Sequence, residues 1–137
     1  MKFFRYWLPV AVWMIIIFLF STRQRIQISD QGAINFLFFK TLHVIEYAIL
    51  YVLYFRAIRF SLRRKNDVVL YAIAFILTIF YAISDEIHQT IVPSREGRLR
   101  DVIIDAIGAF LAWISINQLF PKIPRKLQHW AKRWQLL

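Results

Sequence analysis

Between Ser84 and Gly108 lie five of the chain's eight carboxylates, Asp85, Glu86, Glu96, Asp101 and Asp105, together with His88, one of three histidines. Long apolar runs flank this stretch, and ionisable groups in such surroundings are costly enough to mark a function. His43 and Glu46 form a second, smaller polar set inside another apolar run. An imidazole beside a carboxylate supplies a general base and the group that orients it. His43 or His88 is then the proton carrier and Glu46, Asp85 or Glu86 the orienting acid, with Asp101 a further member of the catalytic set. Arg95 can clamp a phosphate through two parallel N–H groups, and Gln89, Ser84, Tyr47 and Asp105 complete a substrate-binding set.

Two histidines with acids three residues away also resemble the carboxylate-bridged metal sites of helix bundles, and such donors suit Zn, Mn or Fe. Only Asp85 and His88 keep the acid-x-x-His order, so a divalent metal is a minor candidate. No Ser-His-Asp order and no phosphate-binding glycine loop names a reaction, and whether the chain is an enzyme stays open. In the plain alternative the polar residues pair with one another, Glu46 with His88 and Asp85 or Asp101 with Arg95, and hold helix register. That leaves unexplained why five acids and two histidines gather where only Arg95, Arg98 and Arg100 neutralise them. A proton-linked transporter would use the same groups as a relay, but no acid or histidine continues the path through Val68–Ile83.

The elements that must position these groups are membrane-crossing helices. Hydrophobic residues make up 59% of the chain, above the roughly 45–50% of soluble domains. With only three Gly and four Pro, and no alternating strands of the kind a β-barrel needs, the fold class is all-α. Lys2 and Arg5 precede Tyr6–Phe20, and no A-x-A-like cleavage site follows. The run is therefore an uncleaved first span rather than a signal peptide, lengthened by Phe3 and Phe4. The second span covers roughly Leu42–Ile58. Ile34–Phe39 is too short to cross and either lies in the interface or forms the first turns of that helix, with Asp30 as its N-cap. Asp67 caps a third span, Val68 to about Val92, which Pro93 ends. Pro93–Gly97 is a tight connection, and the fourth span runs from about Asp101 to Phe120, stopped by Pro121. In the tail Leu127, Trp130, Ala131, Trp134 and Leu137 share a helix face, while Arg125, Lys126, Lys132 and Arg133 take others and His129 is solvated. Such a basic amphipathic helix suits an anionic membrane surface. Residues 1–121 thus form a four-transmembrane-helix bundle, and 122–137 a basic amphipathic interfacial tail.

The net charge of +10 belongs to this arrangement and not to nucleic-acid binding, because the basic residues cluster between apolar runs. Twelve of the eighteen Lys and Arg flank the side that carries both termini and the connection between spans two and three, and six flank the other. The positive-inside bias then places both termini of this multi-pass cell-membrane protein in the cytoplasm. In that orientation the first turns of span two, the last turns of span three and the first turns of span four all reach the extracytoplasmic end. The three polar sets converge there. His43, Glu46 and Tyr47 share a face, as do Asp85, His88 and Gln89, and Asp101, Asp105 and Gly108 form a third stripe. Glu86 points about 100° away from Asp85, so the two differ in role. Gly108 and Ala112, small and one turn apart, allow close helix approach. With no cysteine there is neither disulfide nor thiolate metal site.

At T-L-H-V-I-E-Y-A-I-L (41–50), Y-A-I-S-D-E-I-H-Q (81–89), V-P-S-R-E-G (92–97) and D-V-I-I-D-A-I-G-A (101–109) the sequence resembles the VanZ-like family of small bacterial integral membrane proteins. The polar F-S-T after span one also fits. The resemblance runs to the end of span four and leaves out the Trp-containing tail. It implies a four-helix membrane domain and a setting of tolerance to glycopeptide antibiotics such as teicoplanin, which act on cell-wall precursors outside the membrane. The family pattern carries Asn where Asp105 stands, and often Gly where Ala112 stands, so this chain adds a negative charge to the set. The expectation is an extracytoplasmic His/carboxylate/Arg site for a lipid head group or a cell-wall precursor. The alternatives are a proton-linked transporter and a non-catalytic membrane assembly partner. Expected partners are membrane lipids and a lipid-linked or phosphate-bearing ligand, with no nucleic acid; the oligomeric state is not specified.

Overall fold

Backbone N–H and C=O groups find no water inside a bilayer, so apolar stretches that cross it close their hydrogen bonds internally as helices. The computed structural model describes residues 2–22, 32–62, 66–93, 95, 97–134 and 136. It contains α1 (Lys2–Ser21), α2 (Gly32–Ser61), α3 (Asp67–Gln89), α4 (Leu99–Ile114) and α5 (Arg125–Arg133). No strand occurs among the described residues. The first four helices, α4 taken with the turns that extend it to Lys122, are long and apolar enough to cross a membrane, and the chain is a multi-pass membrane protein. Asp30, expected to cap the second helix, lies outside the described residues, as do Glu96 and Leu137.

Each boundary has a local cause. Ile34–Phe39 forms the first turns of α2, which at 30 residues is about 45 Å long, against a hydrocarbon core of about 30 Å. Asn66, and not Asp67, caps α3: its side-chain oxygen accepts the Val68 N–H at 3.0 Å. Asn is a strong residue at that position, and Asp67 falls in the first turn, where its charge suits the helix dipole. The α-helix ends at Gln89, short of Val92, because the bonds tighten to three-residue turns, Ile91 N–H to the His88 carbonyl and Val92 N–H to the Gln89 carbonyl. Pro121 has no N–H for the carbonyl of Asn117. Ahead of it the α geometry gives way at Ser115 to a wider turn, Ser115–Leu119, and then to a tight one, Phe120–Lys122.

α2 is the central helix. Tyr47, Leu50, Tyr51, Tyr54, Phe55 and Ile58, at helical spacing, are all buried, and its most extensive partner is α4. That contact is close because position 108 is glycine: a Cβ there would run into the Val44 carbonyl of α2. On α3 a row of Ala74, Thr78 and Ala82, one turn apart, is fully buried, the small-residue pattern that lets membrane helices approach. α1 is tied in by two side-chain bonds. Trp13 Nε1 donates to the Glu46 carbonyl at 2.9 Å, and the Tyr81 hydroxyl donates to the Met14 carbonyl at 2.5 Å. Lipid is as apolar as a helix surface, so such bonds, about 0.6 kcal/mol each, matter alongside van der Waals fit.

The tail is docked rather than solvated. Ala131 and Leu136 are buried, and Arg56, near the end of α2, donates Nε–H to the Trp134 carbonyl at 2.8 Å while its guanidinium lies 4.6 Å from the Trp134 ring. Leu127, Trp130 and Trp134 stay exposed, as do Arg125, Lys126, Lys132 and Arg133.

Two outcomes follow from these contacts. Gly108→Ala lowers the stability of the detergent-solubilised protein by about 1–3 kcal/mol, the usual cost of overpacking. Gly32→Ala, where an added Cβ meets open space, leaves the thermal-shift midpoint in place. Arg56→Ala speeds tryptic cleavage at Arg125 and Lys126 about tenfold, the effect of losing one charged hydrogen bond of roughly 1.5 kcal/mol; unchanged cleavage would show that Arg56 does not hold the tail.

Candidate functional site

α2 and α4 run parallel, so each turn along one meets a turn along the other. Lys40 Nζ lies 2.7 Å from Asp101 Oδ2. One turn deeper, His43 Nδ1 lies 3.0 Å from Asp105 Oδ1, an N–H donating to a carboxylate. The next level is the contact of Gly108 with the Val44 carbonyl. The three levels form a ladder down the seam. At its top Arg100 Nε also approaches Asp101 Oδ1, at 3.5 Å, and Lys40 and Arg100 both lie over the Phe36 ring, at 5.8 and 5.0 Å.

α3 brings its last turns to the same end. Gln89 Nε2 donates to Asp85 Oδ2 at 3.0 Å. Glu86 Oε2 accepts the Arg98 N–H at 2.8 Å and so pins the start of α4 to the end of α3. Gly97 makes that fold-back feasible, since a Cβ there would collide with the Glu86 carbonyl and the Thr90 methyl. Asp85 and Glu86 therefore occupy different surroundings, as their angular separation requires. Tyr47, fully buried, stacks at 6.5 Å on the His43 ring and lies 6.4 Å from the Tyr81 ring.

The expected pairings change in detail. His43 meets Asp105 across the helix seam, and Asp101 is held by Lys40 and Arg100. His88 packs its ring 4.5 Å from that of Phe18 on α1, and Arg95 Nη2 donates to the Phe20 carbonyl at 3.1 Å. Side chains one turn apart on a helix stand side by side, whereas a neighbouring helix at close range presents its groups head-on. Ser84 stays out of the cluster: it is exposed, and its hydroxyl donates to the Tyr81 carbonyl at 2.7 Å. Lys40, Trp13, Phe18 and Phe36 were not among the residues singled out by their sequence pattern. Only Lys40 carried a signal, its spacing of three from His43 on one helix face.

The remaining groups act on one another as a single electrostatic unit. Glu46, half-buried, is within reach of His43, Asp105, Asp85 and Arg95, and Tyr47 within reach of Asp85, Asp105 and Glu86. Buried fields of this kind are screened little by salt. Asp85 Oδ1, Glu86 Oε1, Asp105 Oδ2, His88 Nδ1 and the Tyr47 hydroxyl are buried with no hydrogen-bond partner among the described residues. Such orphans are uncommon in folded proteins. Among the described residues no set of three or more His, Asp and Glu is grouped so as to hold a metal ion; Asp101 and Asp105 occupy successive levels of the ladder, and Asp85 and Glu86 lie on α3.

Residues 6–120 match the model of the VanZ/LLP1 family. The chain belongs to this family. No curated protein and no solved structure matches it. The matched region of this VanZ/LLP1 member holds the whole polar cluster, Lys40 to Asp105, and ends before α5. The docked tail is thus an addition to the region the family shares.

Removing one side of the His43–Asp105 contact leaves the other buried and unpaired, which costs about 3 kcal/mol, whereas replacing both by apolar groups is close to neutral. His43→Leu is therefore strongly destabilised in detergent unfolding and His43→Leu/Asp105→Leu recovers most of the loss. Equal losses in the single and double variants would mean the contact is not a pair.

Proposed function

We propose that this VanZ/LLP1 protein holds the polar head group of a lipid, or of a lipid-linked cell-wall precursor, in its His/carboxylate/arginine site. The reading further connects that site to glycopeptide (teicoplanin) tolerance or envelope maintenance. What carries it is the set of three carboxylates, Asp85, Glu86 and Asp105, that each keep a buried oxygen without a partner among the described residues and lie within reach of one another around Tyr47. Each such atom costs about 1–3 kcal/mol. A cluster that served only to fix helix register would gain by pairing them, so the cost favours a ligand that supplies the partners.

Two features support the details. Arg95 and Arg98 on the α3–α4 connection and Arg100 in the first turn of α4 offer positive charge for a phosphate, and arginine suits that partner geometrically. The excess of Lys and Arg at the opposite end favours cytoplasmic termini, which turns the polar end toward the cell-wall side of the cell membrane. The His43–Asp105 contact has the form of a general base with its orienting acid, without naming a reaction. Deeper than Tyr47 the buried core, with Leu50, Tyr51, Phe55, Ala74 and Thr78, holds no acid or histidine among the described residues, which favours binding at one end over a proton path through the bundle.

Cells carrying the wild-type protein are expected to tolerate several-fold more teicoplanin than cells carrying an empty vector. Asp85→Asn and His43→Gln, inserted in the membrane at wild-type levels, are expected to abolish the difference and to reduce the lipid that co-purifies with the protein. Full tolerance and unchanged lipid in both variants would reduce the polar site to scaffolding.

A further inference from the structure

The open positions in the cluster have a chemical sign. Asp85, Glu86 and Asp105 are 4%, 5% and 0% exposed. Each has one oxygen engaged, by the Gln89 amide, the Arg98 N–H and the His43 ring respectively. That engagement fixes the carboxylate, and the second oxygen of each is buried without a partner among the described residues. An ionised carboxylate oxygen accepts hydrogen bonds and does not donate them. Several of the nearby donors are already committed, Lys40 and Arg100 to Asp101, Gln89 Nε2 to Asp85, and Trp13 Nε1 to the Glu46 carbonyl, while the Tyr47 hydroxyl and the His88 ring keep an open polar atom. The interior of the site is therefore rich in acceptors and short of donors. A phosphate placed there would face like charge at close range in a medium of low dielectric.

Resting on the head-group reading above, we infer that the inner part of the site recognises the hydrogen-bond-donating end of the head group, an ammonium or a set of hydroxyls. The phosphate of the same ligand is left to the arginine-bearing connection. An ammonium has three N–H groups and a sugar or glycerol several O–H groups, either of which supplies what Asp85 Oδ1, Glu86 Oε1 and Asp105 Oδ2 lack. Tyr47 and His88, whose polar atoms are also open, both donate and accept, so they accommodate whichever donor set enters. The pattern excludes an anion by charge and, among the remaining groups, selects by the donors the ligand offers. A quaternary amine carries the cation but no N–H, and it leaves the three oxygens unpaired.

The test uses the purified full-length protein in detergent and pairs of lipids chosen so that one member carries hydrogen-bond donors in the head group that the other lacks. The pairs are phosphatidylethanolamine with phosphatidylcholine, phosphatidylglycerol with phosphatidylmethanol, and a polyprenyl diphosphate with and without an attached sugar. Binding is read by native mass spectrometry. The donor-bearing member of at least one pair is expected to bind about tenfold more tightly than its match, the scale of one or two buried charged hydrogen bonds. Preference in the first pair identifies an ammonium, and preference in the second or third identifies hydroxyls. Asp85→Asn and Glu86→Gln, which place an amide donor where an acceptor stood, are expected to bring that ratio close to one. Equal binding within every pair overturns the donor inference while leaving a head-group site in place. Absence of binding by every lipid overturns the head-group reading itself. The wild-type comparison needs no variant to fold.

Discussion

Gly108 lets the backbone of α4 rest against the Val44 carbonyl of α2, and the polar contacts at that end of the bundle depend on this approach. Two parallel helices held at such range place Lys40 opposite Asp101 and His43 opposite Asp105, at 2.7 and 3.0 Å. Moving the helices apart by only about 1 Å would take the imidazole out of hydrogen-bond range of its acid. A residue with no side chain thus decides whether four charged or polar ones can meet. Gly97 does similar work at the α3–α4 connection, where the chain turns back so tightly that the Glu86 carboxylate receives the Arg98 N–H.

In a bilayer this order of dependence is physically reasonable. Apolar side chains gain little by leaving lipid for one another, so shape and hydrogen bonds must hold the helices together. The Ala74, Thr78 and Ala82 row and Gly108 provide the shape. The Trp13 and Tyr81 bonds anchor α1 across the same level at which the acids sit. The polar cluster is therefore carried mainly on packed helices rather than on loops. Three carboxylates at that level keep a buried oxygen without a partner among the described residues, which a network serving only packing would be expected to pair.

α2 links the two ends of the molecule. Lys40, His43, Glu46 and Tyr47 lie toward its start, and Arg56, toward its finish, holds α5 through the Trp134 carbonyl and ring. The exposed Leu127 and Trp130 beside exposed basic residues keep the tail amphipathic even after it docks. It is held against the bundle by Arg56, by the burial of Ala131 and Leu136, and by Gln128, whose amide donates to the Pro121 and Ile123 carbonyls.

Helix class, the four spans and the end at which acids and histidines gather were all readable from residue order. Lipid forces apolar stretches into helices, and alternating spans return to the same side. The shared faces of His43 with Tyr47 and of Asp85 with Gln89 were readable too, because helical spacing fixes which side chains stand together. Spacing along one helix carries no information about the distance and rotation of its neighbour. For that reason the partner of His43 proved to be Asp105, Asp101 found Lys40, Ser84 turned out of the cluster, and Arg56 caught the tail. Those choices were made where α2 and α4 touch, and only the folded bundle contains that contact.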